Sequence, residues 1–184
     1  MDPTYPLVPF MNILSAVLLS LTLLTFALRR KANIGVVMLG VWLLIIAIWV
    51  GVDTIVWAKD ARDVAPVWCK IWAHIAIAAD VGGPACCTVI NRRLHNILCS
   101  PQLKKPGKRE RIRALAFDIC LGVGLPLFMM ALVSIIRPVK YVIQQEYGCS
   151  STVPASALSI VLIAGWTVFF PALSILWYCR KPPL

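Results

Sequence analysis

Three ionisable residues stand deep enough within apolar stretches of this chain to be costly: His74, Asp80 and Asp118. A charge deep in a lipid-solvated helix is costly, so such groups turn into a bundle, where they hold a neighbouring helix, meet a ligand or act in a switch. His74 and Asp80 are six positions apart, about 120° around a helix, so they occupy different faces and do not form a proton relay with each other. Asp80 reads both as a packing group and as a ligand contact, whereas Asp118, near the inner boundary of its segment, reads first as a packing group. The other histidine, His95, has no closely spaced Cys/His set around it, so neither a metal nor a cofactor is expected. Gly122-Val123-Gly124 is a fragment of a phosphate-loop pattern inside an apolar helix, and small-residue helix packing explains it better. There is no hydrolase signature; the chain is not read as an enzyme and no catalytic residue is assigned.

Composition dictates the elements that must position these residues. Of 184 residues, 60% are hydrophobic and 14% charged, against about 45–50% and 25% in a soluble domain. A core of this size cannot hide so much apolar surface from water, so a soluble globular enzyme is excluded and lipid becomes the solvent for most side chains. Apolar runs place membrane spans at 6–28, 34–57, 67–90, 114–136 and 155–178, each near the ~20 residues that a crossing helix needs. The expected fold class is an all-α polytopic membrane helix bundle with five spans. The first run lacks the basic start and short apolar core of a cleaved signal peptide, so it reads as a retained helix. Trp42, Trp49 and Trp57 suit interfacial anchors. Gly82-Gly83-Pro84 is expected to weaken the third helix, and Pro84 and Pro171 are kink candidates.

The formal charge of +10 would suggest nucleic acid in a soluble protein. Its placement says otherwise. Thirteen of the eighteen Lys and Arg residues fall in 29–33, 91–113 and 179–184. The opposite side has Lys59, Arg62, Lys70, Arg137 and Lys140, together with Asp2, Asp53, Asp60, Asp63 and Glu146. The positive-inside bias then puts the N-terminus outside and the C-terminus inside, and no nucleic-acid partner is implied. Loops 29–33 and 91–113 become cytoplasmic, and 58–66 and 137–154 external. The mixed-sign run from Asp53 to Pro66 reads as a short polar outer loop. The densest inner feature is Arg92, Arg93, Lys104, Lys105, Lys108, Arg109, Arg111 and Arg113 against the single acid Glu110. This charge suits the anionic headgroups of membrane lipid, and also a docking surface for a cytosolic protein.

Seven cysteines are present, and a disulfide persists only on the oxidising side of a membrane. Only Cys69 and Cys149 lie outside. Either they bond, which pins the loop between the fourth and fifth spans over the mouth of the bundle, or they remain two reduced thiols. Their Cα separation, about 5–6 Å in a disulfide, decides between these. Cys86, Cys87 and Cys120 read as small apolar residues within spans.

Taken in order, Arg29-Arg30-Lys31-Ala32-Asn33-Ile34-Gly35, Trp42, Ile55-Val56-Trp57, Trp68-Cys69, Pro84-Ala85-Cys86 and Arg92-Arg93-Leu94 resemble the a-factor-type fungal mating-pheromone receptors. Asp118-Ile119-Cys120, Leu125-Pro126-Leu127, Glu146-Tyr147-Gly148-Cys149 and the region from Gly165-Trp166 to Pro171 are similar to the fourth span, outer loop and fifth span of that family. The resemblance covers residues 7–178. It implies a seven-helix G-protein-coupled receptor of the plasma membrane that detects a short, C-terminally lipidated peptide pheromone and activates a heterotrimeric G protein. On that basis His74, Asp80 and Glu146 are ligand-binding candidates, and the inner basic residues are G-protein or anionic-lipid contact candidates.

The family has seven spans, whereas this sequence stops at Arg180-Lys181-Pro182-Pro183-Leu184, after the fifth. The chain as given is therefore expected not to signal alone: a fragment, a degenerate allele, or a truncated form that associates with a full-length receptor. The alternative from another class is a small five-span transporter or membrane-embedded enzyme built on His74, Asp80 and Asp118.

Overall fold

The computed structural model describes residues 6–28, 33–59, 61–99, 107–136, 140–144, 147–152 and 165–179. Helices α1 (Leu7–Leu28), α2 (Ile34–Val56) and α3 (Pro66–Cys99) are followed by a continuous rod made of α4 (Lys108–Ile119), a π-helical turn (Cys120–Gly124) and α5 (Leu125–Ile136). A hairpin of β1 (Lys140–Gln144) and β2 (Gly148–Thr152) comes next, and then α6 (Gly165–Cys179). Four helical runs, Leu7–Leu28, Ile34–Val56, Pro66–Leu98 and Lys108–Ile135, are long and apolar enough to cross a membrane. Most of the first half of the fifth expected span, 155–164, lies outside the described residues, and α6 carries the remainder. The chain is a multi-pass membrane helix bundle.

Helix α1 has no charged residue, its Asn12, Ser20, Thr22 and Thr25 side chains bond back to the helix's own carbonyls, and Pro9 is its one buried residue; in lipid such a helix needs no polar face. Helix α2 starts where the Asn33 side chain accepts a hydrogen bond from Gly35 N at 3.1 Å, an ordinary N-cap. Helix α3 is the centre of the bundle, packing on α2, α5, α6 and the hairpin. Its buried row is Ala73, Ile77, Val81, Ala85 and Val89, all at most 1% exposed and four residues apart, the spacing that keeps side chains on one helix face. Gly82 lets α2 approach: a Cβ there would stand 2.6 Å from Trp42 Nε1.

The helices depart from the sequence reading at their inner ends. Helix α3 runs unbroken through Gly82-Gly83-Pro84 and continues to Cys99, past the expected span end at 90, while α4 begins at Lys108 rather than 114. Among the described residues of 91–113, then, helix replaces the expected loop: Arg92 and Arg93 ride on α3, and Lys108, Arg109, Arg111 and Arg113 on α4. No helix breaker separates Ile90 from Cys99, and the first proline beyond is Pro101. Pro106-Gly107 then sets the start of α4, where Gly107 N donates to Glu110 Oε2 at 3.2 Å. Thr88 Oγ1 donates to the Pro84 carbonyl at 3.0 Å, one turn on, and α6 is also continuous across Pro171.

The π turn ends two residues before a proline. Pro126 has no N–H, so in an α-helix the Gly122 carbonyl would lack its donor four residues on. Here Trp42 Nε1 donates to that carbonyl at 3.0 Å, with Cys86 Sγ at 3.8 Å. One proline thus ties the rod to α2 and α3 in the middle of the bundle.

Candidate functional site

The outer end is built around Asp53 on the last turn of α2. The sequence reading puts this residue in a polar loop, but it is helical and 1% exposed. Its carboxylate accepts from Trp68 Nε1 at 2.7 Å and from Cys149 N at 3.0 Å. Trp68 opens α3 and Cys149 lies on β2, so one carboxylate holds three elements by neutral donors. Cys69 and Cys149 are bonded, with a Cα–Cα distance of 5.3 Å, which answers the open question of the two thiols. Gly148 has φ +79°, and a Cβ there would fall 2.5 Å from Asp53 Cβ. Glycine is therefore required both by the backbone conformation and by the closeness of the clamp. Around it, Trp49 stacks on Trp68 at 3.8 Å and on Trp72 at 5.1 Å between ring centroids. Trp57 Nε1 donates to the Arg62 carbonyl at 2.8 Å. At the surface, the Tyr141 hydroxyl donates to Asp63 Oδ2 at 2.7 Å; that bond, then desolvation and the Asp63 charge, raise the Tyr141 phenol above its ordinary value.

Within the outer loop expected over 137–154, the described residues Lys140–Gln144 and Gly148–Thr152 pair as an antiparallel hairpin, with Ile143 paired to Cys149 and Gln144 to Gly148. Its sequence signal was present but short: Tyr141-Val142-Ile143 followed by a glycine five residues on.

The inner end is built around Asp118, also 1% exposed. Arg92 Nη2 donates to its Oδ1, and Arg93 reaches Oδ2 through Nε at 2.7 Å and Nη2 at 2.6 Å. Arg93 Nη1 also donates to Asn33 Oδ1 at 3.3 Å, and the Arg92 guanidinium lies 4.5 Å from the Phe117 ring centroid. The cluster therefore joins the start of α2, the end of α3 and α4. Extension of α3 beyond 90 brings Arg92 and Arg93 to Asp118, and a reading that ends the helix there cannot find this pairing.

The remaining candidates are not gathered into one constellation. His74 is half-buried, with Nδ1 at 2.7 Å from the Lys70 carbonyl, which requires the proton on Nδ1. Asp80 lies about 9 Å farther along α3. It is on an open face shared with Cys87, and among the described residues it has no hydrogen bond or ion pair. Asp118 belongs to the inner cluster, roughly 18 Å along α3 from Asp80 if measured to Arg92. Glu146, Lys104 and Lys105 lie outside the described residues, while Lys108, Arg109, Arg111 and Arg113 are exposed on α4. No group of three or more His, Cys, Asp or Glu residues suited to a metal occurs among the described residues. An apolar groove of about 500 Å³ runs between α1 and α2, lined by residues including Ile13, Val17, Leu21, Ile48 and Ile55.

Comparison with known proteins agrees along nearly the whole length. The chain is 29% identical over 177 residues to the pheromone B alpha 2 receptor of Schizophyllum commune, covering 96% of this chain and 26% of that protein. It is 30% identical over 174 residues to the pheromone B alpha 3 receptor of Schizophyllum commune, covering 95% and 27%. It is 29% identical over 145 residues to pheromone receptor 1 of Mycosarcoma maydis, covering 78% and 40%. The chain thus spans between about a quarter and two-fifths of the length of these relatives. The family model described as pheromone A receptor matches residues 7–180, the same residues that form the bundle, the clamped hairpin and the inner cluster, and this chain belongs to the pheromone A receptor family.

Proposed function

We propose that the chain is the pheromone-receiving part of a plasma-membrane mating receptor, which binds a C-terminally lipidated peptide from the outer side and engages a heterotrimeric G protein from the inner side. Family membership carries this reading, because the matched relatives are named as pheromone receptors. Three features support it. The hairpin is fastened over α2 and α3 by Asp53 and the disulfide, which gives the outer side a fixed rim. His74 and Asp80 lie on α3 below that rim, where the polar part of a peptide would reach them. The groove between α1 and α2 has the apolar lining that a farnesyl-type chain entering from the bilayer would meet.

A ligand shifts a receptor only through its different affinity for two packings of the bundle. The inner cluster joins α2, α3 and α4, so relative movement of α3 and the rod changes the contacts of Arg92 and Arg93 with Asp118. The transporter or enzyme reading loses its constellation, since Asp118 is engaged by arginines and is not gathered with His74 and Asp80.

Binding of a panel of synthetic farnesylated peptide pheromones to membranes with and without the chain tests the proposal. Saturable binding is expected for at least one peptide, weakened about tenfold by Asp80→Asn or by His74→Ala. Equal binding to membranes lacking the chain, or indifference to removal of the lipid, would overturn it.

A further inference from the structure

Helix α4 opens with Lys108, Arg109, Glu110, Arg111 and, two residues on, Arg113, all exposed. Glu110 is occupied by its bond from Gly107 N. Among the described residues, the side chains of the four cations have neither an ion pair nor a hydrogen bond.

Length places these cations at a definite depth. The run Lys108–Ile135 has 28 residues, about 42 Å at ~1.5 Å per residue. The hydrocarbon core is only about 30 Å thick, and the bilayer with its headgroups about 40–45 Å. With the outer end of the rod level with the outer hydrocarbon boundary, roughly its first eight residues lie in the inner headgroup layer. Those residues carry all four cations.

Direction then separates the four. Arg109 and Asp118 are nine positions apart, about 180° around the helix, and Asp118 is bound to α3. Arg109 therefore points away from α3. Arg113 is about 40° from Arg109, and Ala116 about 20° from it on the other side; both are exposed. The two arginines thus continue an exposed stripe that includes Ala116, toward the depth where acyl chains begin. Arg111, by contrast, is about 160° from Arg109, on the side of the inner mouth.

We propose that Arg109 and Arg113 form a headgroup site for an anionic phospholipid of the inner leaflet. Their guanidinium forks match phosphate and carboxylate oxygens, and their stripe faces the bilayer rather than the mouth of the bundle, where a cytosolic protein would dock. The inference rests on helix length and azimuth and is independent of pheromone binding.

The test uses the chain reconstituted in phosphatidylcholine vesicles containing trace spin-labelled phosphatidylserine or phosphatidylcholine. Phosphatidylserine is expected to be enriched about threefold in the lipid immobilised at the protein. The enrichment falls to parity in Arg109→Gln/Arg113→Gln and largely persists in Lys108→Gln/Arg111→Gln, with an intact Cys69–Cys149 bond and unchanged helical circular dichroism reporting that each variant is folded. No preference in the unmodified chain would overturn the proposal, as would a preference unchanged in Arg109→Gln/Arg113→Gln. It also fails if that variant loses capture of a purified heterotrimeric G protein while keeping the lipid preference.

Discussion

Asp53 and Asp118 are two aspartates of equal burial, 1% exposed, at opposite ends of one bundle, and they are made tolerable in different ways. Asp53 is held by neutral N–H donors from Trp68 and Cys149, beside a covalent bond between α3 and β2. Asp118 is held by two guanidinium groups that also reach α2 and the surface of Phe117. An acceptor satisfied by backbone and indole donors fixes one geometry. An ion pair shared between two arginines keeps much of its attraction over a range of displacements, because Coulomb energy falls only as the inverse of distance. The outer end is therefore built as a fixed rim, and the inner end as a joint between helices.

The sharpest way to break this contrast is to remove each carboxylate in turn. Asp118→Ala leaves two arginines uncompensated at the inner end, and a loss of about 3 kcal/mol in stability is expected, the scale of stripping one partner from a buried pair. Thermal unfolding in nanodiscs measures it, and removing the charge of Arg92 and Arg93 in the same chain should restore part of the loss. Asp53→Ala is expected to cost about 2 kcal/mol, since two buried N–H groups lose their acceptor while the disulfide still retains the hairpin. Non-reducing peptide mapping should find Cys69 still joined to Cys149 in that variant. A larger loss from Asp53→Ala than from Asp118→Ala would reverse the assignment of rim and joint.

The smallest effect belongs to the surface bond that seats β1. Because the hydrogen bond to Asp63 raises the Tyr141 phenol above its ordinary value of 10.0, the folded state holds this proton more tightly than the unfolded chain. The contribution of that bond is complete below about pH 10 and is lost as pH rises through the raised value. Ultraviolet titration of the phenolate should show a step above the ordinary tyrosine range, and Tyr141→Phe should remove that step and the accompanying change in stability.

Much of this arrangement was legible in the chain. The apolar runs gave the bundle, and the expected sidedness singled out Cys69 and Cys149, the bonded pair, from seven cysteines. Helix ends were less legible, because the shift from apolar to charged residues at Asn91 marks the edge of the lipid, not the end of the helix. The first prolines beyond Asn91 in the sequence are Pro101 and Pro106. For the same reason Asp53 read as the start of a loop, although it occupies the last turn of α2 with its charge turned inward.

Sequence by itself determined the solvent of this protein and the number of apolar runs, since these depend on composition and order along the chain. Tertiary structure decided which polar groups meet: Asp53 with Cys149 across 96 residues, Asp118 with Arg92 and Arg93 across about 25, and Trp42 with the Gly122 carbonyl that Pro126 leaves without a helical donor. A buried polar atom accepts any donor that packing delivers, so its partner is set by how helices dock, which local sequence does not encode.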